Sequence, residues 1–238
     1  MNWKAVLFDM DGTVLDTLDD LTDAVNRSLA EFSLPTVDAC VVRRNLGSGA
    51  AFLIAHCVPS DCSAELCERV LAFYKPWYDA HCRIHTRPYD GIPELMTTLK
   101  ARGIRLAIIS NKPDSAVQEL AAAFFPGMLD VVVGESPGIR RKPCPDTVLE
   151  AAARMGLSAR DCIYVGDSEV DIQTARSAGM PCISVSWASV MKNSFSPPGH
   201  PALSIPHRNC QKGYCNENTW IHRHRKYGFG PRQSRFFD

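Results

Sequence analysis

Ala5-Val6-Leu7-Phe8-Asp9-Met10-Asp11-Gly12-Thr13-Val14-Leu15 decides how this chain is read. It opens on an apolar run of strand length, and the run ends in two aspartates one residue apart, followed at once by a glycine turn. Two carboxylates at the carboxyl end of a buried strand are costly unless a cation or a reaction employs them. Taken alone, the same pair is also what a turn or a solvated strand end looks like.

Around that stretch the apolar spacing changes twice. Leu18, Leu21, Val25 and Leu29 recur every three or four residues and predict a helix over 17–32, stopped by Pro35. Residues 37–85 keep helical spacing, with breaks at Gly47-Ser48-Gly49 and Pro59-Ser60 and no strand pattern. From Tyr89 onward strands and helices alternate. A helix over 93–101 leads to a strand over 104–109 that runs into Ser110-Asn111-Lys112, and a helix over 115–125 precedes a short strand over 131–133. Lys142-Pro143 stands ahead of a helix over 146–155, and a strand over 162–165 enters Gly166-Asp167-Ser168-Glu169-Val170-Asp171. A helix over 171–178 and a strand over 182–185 follow. This alternation predicts an α/β protein with a doubly wound parallel sheet and right-handed crossovers. The core is 1–16 and 86–187, the helical insert 17–85, and 188–238 an atypical tail.

In such sheets ligands sit beyond the carboxyl ends of the strands. Asp9, Asp11, Ser110, Lys142, Asp167 and Asp171 all fall there, so the topology brings them to one rim. Carboxylates without Cys or His form a hard oxygen environment that suits Mg2+ and disfavours zinc. A lysine and a hydroxyl beside such a cation suit a phosphoryl group, whose transfer depends on positioning and charge stabilisation. An aspartate can attack phosphorus itself, and a second can move the proton.

Asp9-Met10-Asp11-Gly12-Thr13, Ile108-Ile109-Ser110-Asn111-Lys112, Lys142-Pro143 and Gly166-Asp167-Ser168-Glu169-Val170-Asp171, in this order, resemble the four motifs of the haloacid dehalogenase superfamily of phosphatases. The resemblance implies a Rossmann-like core and a Mg2+-dependent phosphomonoesterase working through a phosphoaspartate. It implies Asp9 as nucleophile, Asp11 as acid and base, and Ser110 and Lys142 on the phosphoryl oxygens. Asp9, the Asp11 carbonyl and Asp167 would hold the metal, Asp171 would orient its waters, and Thr13 would fix the Asp11 loop and border the substrate with Asn111. The helical insert, with Leu15-Asp16-Thr17 leading in and Pro88-Tyr89-Asp90-Gly91-Ile92 leading out, is similar to the small cap of the phosphoglycolate phosphatase group. That makes 2-phosphoglycolate the expected substrate. Arg43 or Arg44, beside Gly47 and Gly49 of the cap turn, offers a bidentate partner for its carboxylate, against the plainer reading of an exposed helix face. A sugar phosphomutase on the same scaffold is the alternative, and an inactive product of a disrupted gene is another. Dehalogenation leaves Asp11 and the metal carboxylates without a role.

The 238 residues are 45% hydrophobic and carry no net charge. No stretch approaches the roughly 18 to 20 apolar residues of a membrane span, and the N-terminus does not look like a signal peptide. A cytoplasmic enzyme with a small phosphorylated metabolite as its partner, no nucleic acid or membrane, and a monomeric or dimeric state is the expectation. Ten scattered Cys read as reduced thiols. The plainer readings of Asn111 and Lys112 as solvated loop residues, of Ser110 as a helix cap, and of His81, Cys82 and His85 as packing residues stay open.

The tail has a different composition. Residues 188–238 hold eight basic residues against two acidic ones, leaving a net charge of −6 on the rest. Permitted codons for Ala188 to Cys210, read from the third base of each, spell FRDEEFLLSAGAPGIVNTPPQL, which resembles the ending such a core requires. A frameshift near Trp187 and a disordered tail are therefore expected, and Cys210, Cys215, His222 and His224 are not read as a zinc site.

Overall fold

Strand β1 (Ala5–Phe8) is buried at every position, as an unbroken apolar run requires of a strand covered on both faces. In the computed structural model, which describes residues 3–188 and 202–203, a short strand β2 (Leu15–Asp16) leads from it into four helices. These are α1 (Leu18–Glu31), α2 (Ala39–Arg44), α3 (Ala50–Cys57) and α4 (Ala64–His81), and the chain returns through β3 (Arg87–Pro88). β2 and β3 pair antiparallel, Leu15 against Pro88, so departure and return form one stalk. The buried Asp20 reinforces it: its two oxygens accept the backbone N–H groups of His85 and Thr86 at 2.8 and 2.9 Å. Departure from the core and return to it thus lie side by side.

The remainder alternates α5 (Ile92–Ala101), β4 (Arg105–Pro113), α6 (Asp114–Phe124), β5 (Val131–Glu135), α7 (Asp146–Arg154), β6 (Cys162–Gly166), α8 (Glu169–Ala178), β7 (Cys182–Val185) and β8 (Ala202–Leu203). The strands form one parallel sheet in the order β5-β4-β1-β6-β7-β8. Strand periodicity divides the core in two. Val6, Phe8, Leu106, Ile108 and Val165 face a cluster that includes α5, α6 and the cap helices. Ala5, Leu7, Ala107, Ile109 and Tyr164 face α7 and α8.

Two boundaries differ from the sequence pattern. β4 does not stop at residue 109 but runs on through Ser110, Asn111 and Lys112 to Pro113, with an irregular register against β5. The polar triplet reads as a loop only because its burial comes from tertiary contacts. β8 is added at the sheet edge, parallel to β7. The frameshift reading, the expected disorder and the tail's Cys and His otherwise fall outside the described residues.

Candidate active site

The rim is built by the residues that end each central strand. Asp9 continues β1 by donating its backbone N–H to Val165 at 2.8 Å, which fixes it against the end of β6. Gly12 then turns the chain at φ +79°, and a Cβ there would lie 2.5 Å from an Asp167 oxygen. Only glycine allows both the turn and this approach. Thr13 donates its hydroxyl to Asp167 at 2.9 Å, which supports that carboxylate and ties the loop after Asp11 to it.

Asp171 is held by its own helix. Ser168 caps α8 and Asp171 returns to Ser168 in a capping box, with the Ser168 hydroxyl donating to Asp171 at 2.6 Å. Lys142 reaches the same carboxylate from the opposite side, its Nζ 2.7 Å from Asp171 Oδ1 and 2.7 Å from Asp9 Oδ1. Tyr164, on β6, accepts from Lys142 and donates to Asp171, both at 3.1 Å. A buried ammonium is tolerable only when paired in this way.

Asp9, Asp167 and Asp171 offer oxygens that all lie within 4.8 Å of one another, the one such cluster among the described residues. Burial, together with the negative charge of Asp171, pushes Asp9 up to about 7 even against Lys142. Burial and the neighbouring carboxylates also raise Asp167 well above the usual range. Burial would raise Asp171 too, but Lys142 and the hydrogen bonds from Lys142 and Ser168 hold it below its ordinary value. Lys142 is likewise raised, its burial outweighed by Asp171 and Asp9. One lysine against three buried carboxylates leaves excess negative charge, and the donors are all hard oxygens. The cluster therefore fits a divalent cation. Asp171 already has hydrogen bonds to both oxygens, which leaves Asp9 and Asp167 as the freer donors.

Asp11 points elsewhere. Its Oδ1 accepts the Thr17 hydroxyl at 2.6 Å and lies 2.9 Å from Lys112 Nζ, so any part of Asp11 at a cation falls to its main-chain carbonyl. These groups open on a cavity between core and insert, lined by Asp9, Asp11, Ser110, Lys112, Lys142 and Tyr78 among others. Ser110 faces it, buried, with its Oγ accepting the Lys112 N–H at 3.2 Å. It caps no helix, because the residue preceding α6 is Pro113.

The other expected residues are sorted by the fold. Asn111 is buried and saturated: its amide donates to the carbonyls of Gly47 and Lys142 at 2.9 Å each and accepts the Lys142 N–H at 2.8 Å. It ties the cap turn to the core, and with Gly47 and Gly49 it lines the main cavity. Gly47 and Gly49 both have positive φ and pack on core residues, Gly47 near Ser168 and Gly49 near Arg141 and Asn111. Arg44 is exposed and folds back on Cys40. Arg43 borders a separate small cavity with Asp16, Thr17 and Tyr89. Neither arginine lines the main cavity, because α2 turns that face outward. His81 stacks on Trp77 at 4.0 Å, and His85 lies 3.7 Å from Asp23, away from the rim.

Three residues at the site escaped the sequence pattern, Thr17, Tyr78 and Tyr164, while Lys112 stood in a motif without an assigned role. Lys112 directly follows Asn111 in a quoted motif, and Tyr74 and Tyr78 are four apart on α4, but nothing local distinguishes them from surface and core residues.

The parallel sheet, the inserted cap and the aspartate-lysine rim define a phosphatase of the α/β class. The chain belongs to the haloacid dehalogenase-like hydrolase family, whose profile matches residues 6–185. It is 34% identical over 193 residues to a phosphoglycolate phosphatase of Rhodospirillum rubrum, covering 77% of this chain and 80% of that one. It is 31% identical over 191 residues to an N-acetylmuramic acid 6-phosphate phosphatase of Pseudomonas aeruginosa, covering 80% and 84%. A crystal structure from Lactobacillus delbrueckii assigned as a phosphoglycolate phosphatase superposes with TM-score 0.75 at 38% identity, covering 79% of this chain and 87% of that one. Among the described residues no helix is long and apolar enough to cross a membrane.

Proposed function

We propose that the chain is a Mg2+-dependent phosphomonoesterase acting through a phosphoaspartate on a small phosphorylated metabolite, with 2-phosphoglycolate as substrate. The observation that carries this reading is Lys142 bridging Asp9 and Asp171 beside Asp167, a buried cluster with one fixed positive group and excess carboxylate. Asp9 and Asp167, with the Asp11 carbonyl, would hold Mg2+, which when bound would neutralise charge on the phosphoryl oxygens. Ser110 and Lys142 orient those oxygens toward Asp9.

Asp9 attacks phosphorus as the ester P–O bond breaks, and Asp11 supplies the proton to the departing alkoxide oxygen. Asp11 then removes a proton from the water that attacks the phosphoaspartate, releasing phosphate and restoring Asp9. Tyr78, Leu21 and Leu53, contributed by the cap helices, close the cavity and exclude bulk water.

A phosphate-release screen over small phosphate esters, with and without Mg2+, tests the reading. Continuous turnover of 2-phosphoglycolate that requires Mg2+ and falls by orders of magnitude in Asp9→Asn is expected. Activity unchanged in Asp9→Asn refutes the nucleophile. Consumption of ester with no stoichiometric phosphate refutes hydrolysis in favour of a mutase.

A further inference from the structure

Lys112 has no part in the scheme above, yet it is a lysine with 6% exposure in the wall of the reaction cavity. An ammonium so deeply buried is costly unless it has a charged or polar partner. Its partners come from two sides. From the core, Asp11 Oδ1 lies 2.9 Å away. From the cap, the Tyr78 hydroxyl accepts a hydrogen bond from Nζ, and the Tyr78 ring lies 4.4 Å from it. Tyr78 is itself buried and stacked on Tyr74 at 5.6 Å, so the ring is held in place. Much of the nearby wall is apolar, with Leu21, Leu46 and Leu53. Lys142, the other cation of the lining, is committed to Asp9 and Asp171.

We propose that Lys112, held by Tyr78, is the seat for a second anionic group on the substrate, a carboxylate attached directly to the ester carbon. The inference rests on the phosphatase reading and deepens it. The position follows from Asp11. To protonate the leaving oxygen, Asp11 must come within about 3 Å of it. Lys112 is ion-paired with Asp11 at 2.9 Å, so its ammonium stands within roughly 6 Å of the ester oxygen. A carboxylate attached to the ester carbon spans that gap. A neutral ester of the same length places a hydroxyl where the ammonium waits and forgoes the charged hydrogen bond. Because Lys112 belongs to β4 and Tyr78 to α4, the seat is complete only with the cap against the core.

The test compares kcat/KM for 2-phosphoglycolate with that for 2-hydroxyethyl phosphate, which replaces the carboxylate by a hydroxymethyl group. The wild-type chain is expected to prefer the acid by about 10- to 100-fold, the range of one charged hydrogen bond. Lys112→Met is expected to lower that ratio by a similar factor, chiefly through KM for the acid, with Lys112→Arg recovering part of it. Tyr78→Phe is expected to lower it several-fold. A wild-type ratio near one overturns the seat, and it needs no variant to fold. A Lys112→Met that slows both esters equally also overturns it, since that is the signature of a group acting only through Asp11. Turnover of both esters without preference leaves the phosphatase reading standing and removes the seat. No phosphate from any ester removes both.

Discussion

Asn111 donates a 2.9 Å hydrogen bond to the carbonyl of Gly47, while the same amide clasps the backbone of Lys142 on both sides. One side chain thus fixes the cap turn and Lys142 together. Asn111→Ala would leave one buried donor and two acceptors without that partner, at about 1 to 3 kcal/mol for each group that water fails to reach. The expected outcome is a lower melting temperature and a fall in kcat/KM of at least tenfold, with faster proteolysis in the 45–50 segment. Normal kinetics in a stable Asn111→Ala protein would show that the clasp is dispensable.

Lys142 is the cation whose loss should be most costly. Lys142→Met strands Asp9 and Asp171, and breaking a buried pair costs about 3 to 5 kcal/mol. For a domain of this size the melting temperature falls by about 2 to 4 °C per kcal/mol. Adding Asp9→Asn to Lys142→Met removes one of the stranded charges and should restore part of the loss. Calorimetry of the single and double variants checks the sign.

The metal-free chain should lose stability as pH rises through the range where Asp9 titrates. Asp9 is pushed up to about 7 from 3.8, so between those values the folded state holds a proton that the unfolded state has released. Stability is then highest toward the acid end of the window and falls as pH rises toward about 7. Asp167, also raised, acts in the same direction. Asp171, which is depressed, contributes stability above its unfolded value and loses it only as pH falls through its lower folded one. Mg2+ favours the ionised carboxylates, so its stabilising increment should be larger near pH 8 than near pH 5. Thermal melts at both pH values, with and without Mg2+, measure this; an increment that shrinks with pH would contradict the cation site.

Thr13 supports one of the proposed metal donors through its hydroxyl. Thr13→Val keeps the shape and removes the 2.9 Å hydrogen bond to Asp167. Loss of such a supporting contact weakens metal affinity by about 10- to 100-fold. The Mg2+ concentration for half-maximal phosphate release should rise accordingly, with little change at saturating Mg2+.

Arg44→Ala should change kcat/KM for 2-phosphoglycolate by less than about twofold, and stability by no more than about 0.5 kcal/mol, as expected of an exposed residue. Set beside Lys112→Met in the same assay, it separates the anchor suggested by sequence proximity from the one in the cavity wall.

The central strands, the insert and the rim residues Asp9, Asp11, Ser110, Lys142, Asp167 and Asp171 were legible because their signals are local. A buried strand is a short apolar run, and a strand-end carboxylate is visible at the end of it. The tertiary roles of Asn111 and Lys112 were not, since polar residues after a strand look alike whether water or another segment meets them. The Ser110-Asn111-Lys112 triplet is buried by the cap turn and by the Lys142 loop, and those contacts span 64 and 31 residues.

By itself, then, the sequence determined the doubly wound sheet, the place of the helical insert and which carboxylates share a rim, because periodicity and strand-end position are written in neighbouring residues. Only the tertiary structure decided that Thr13 serves Asp167, that Asn111 is a clasp, and that Lys112 rather than Arg43 or Arg44 stands beside Asp11. Those assignments depend on which side chains meet after the cap folds onto the core, and burial at such a meeting is a property of two distant segments at once.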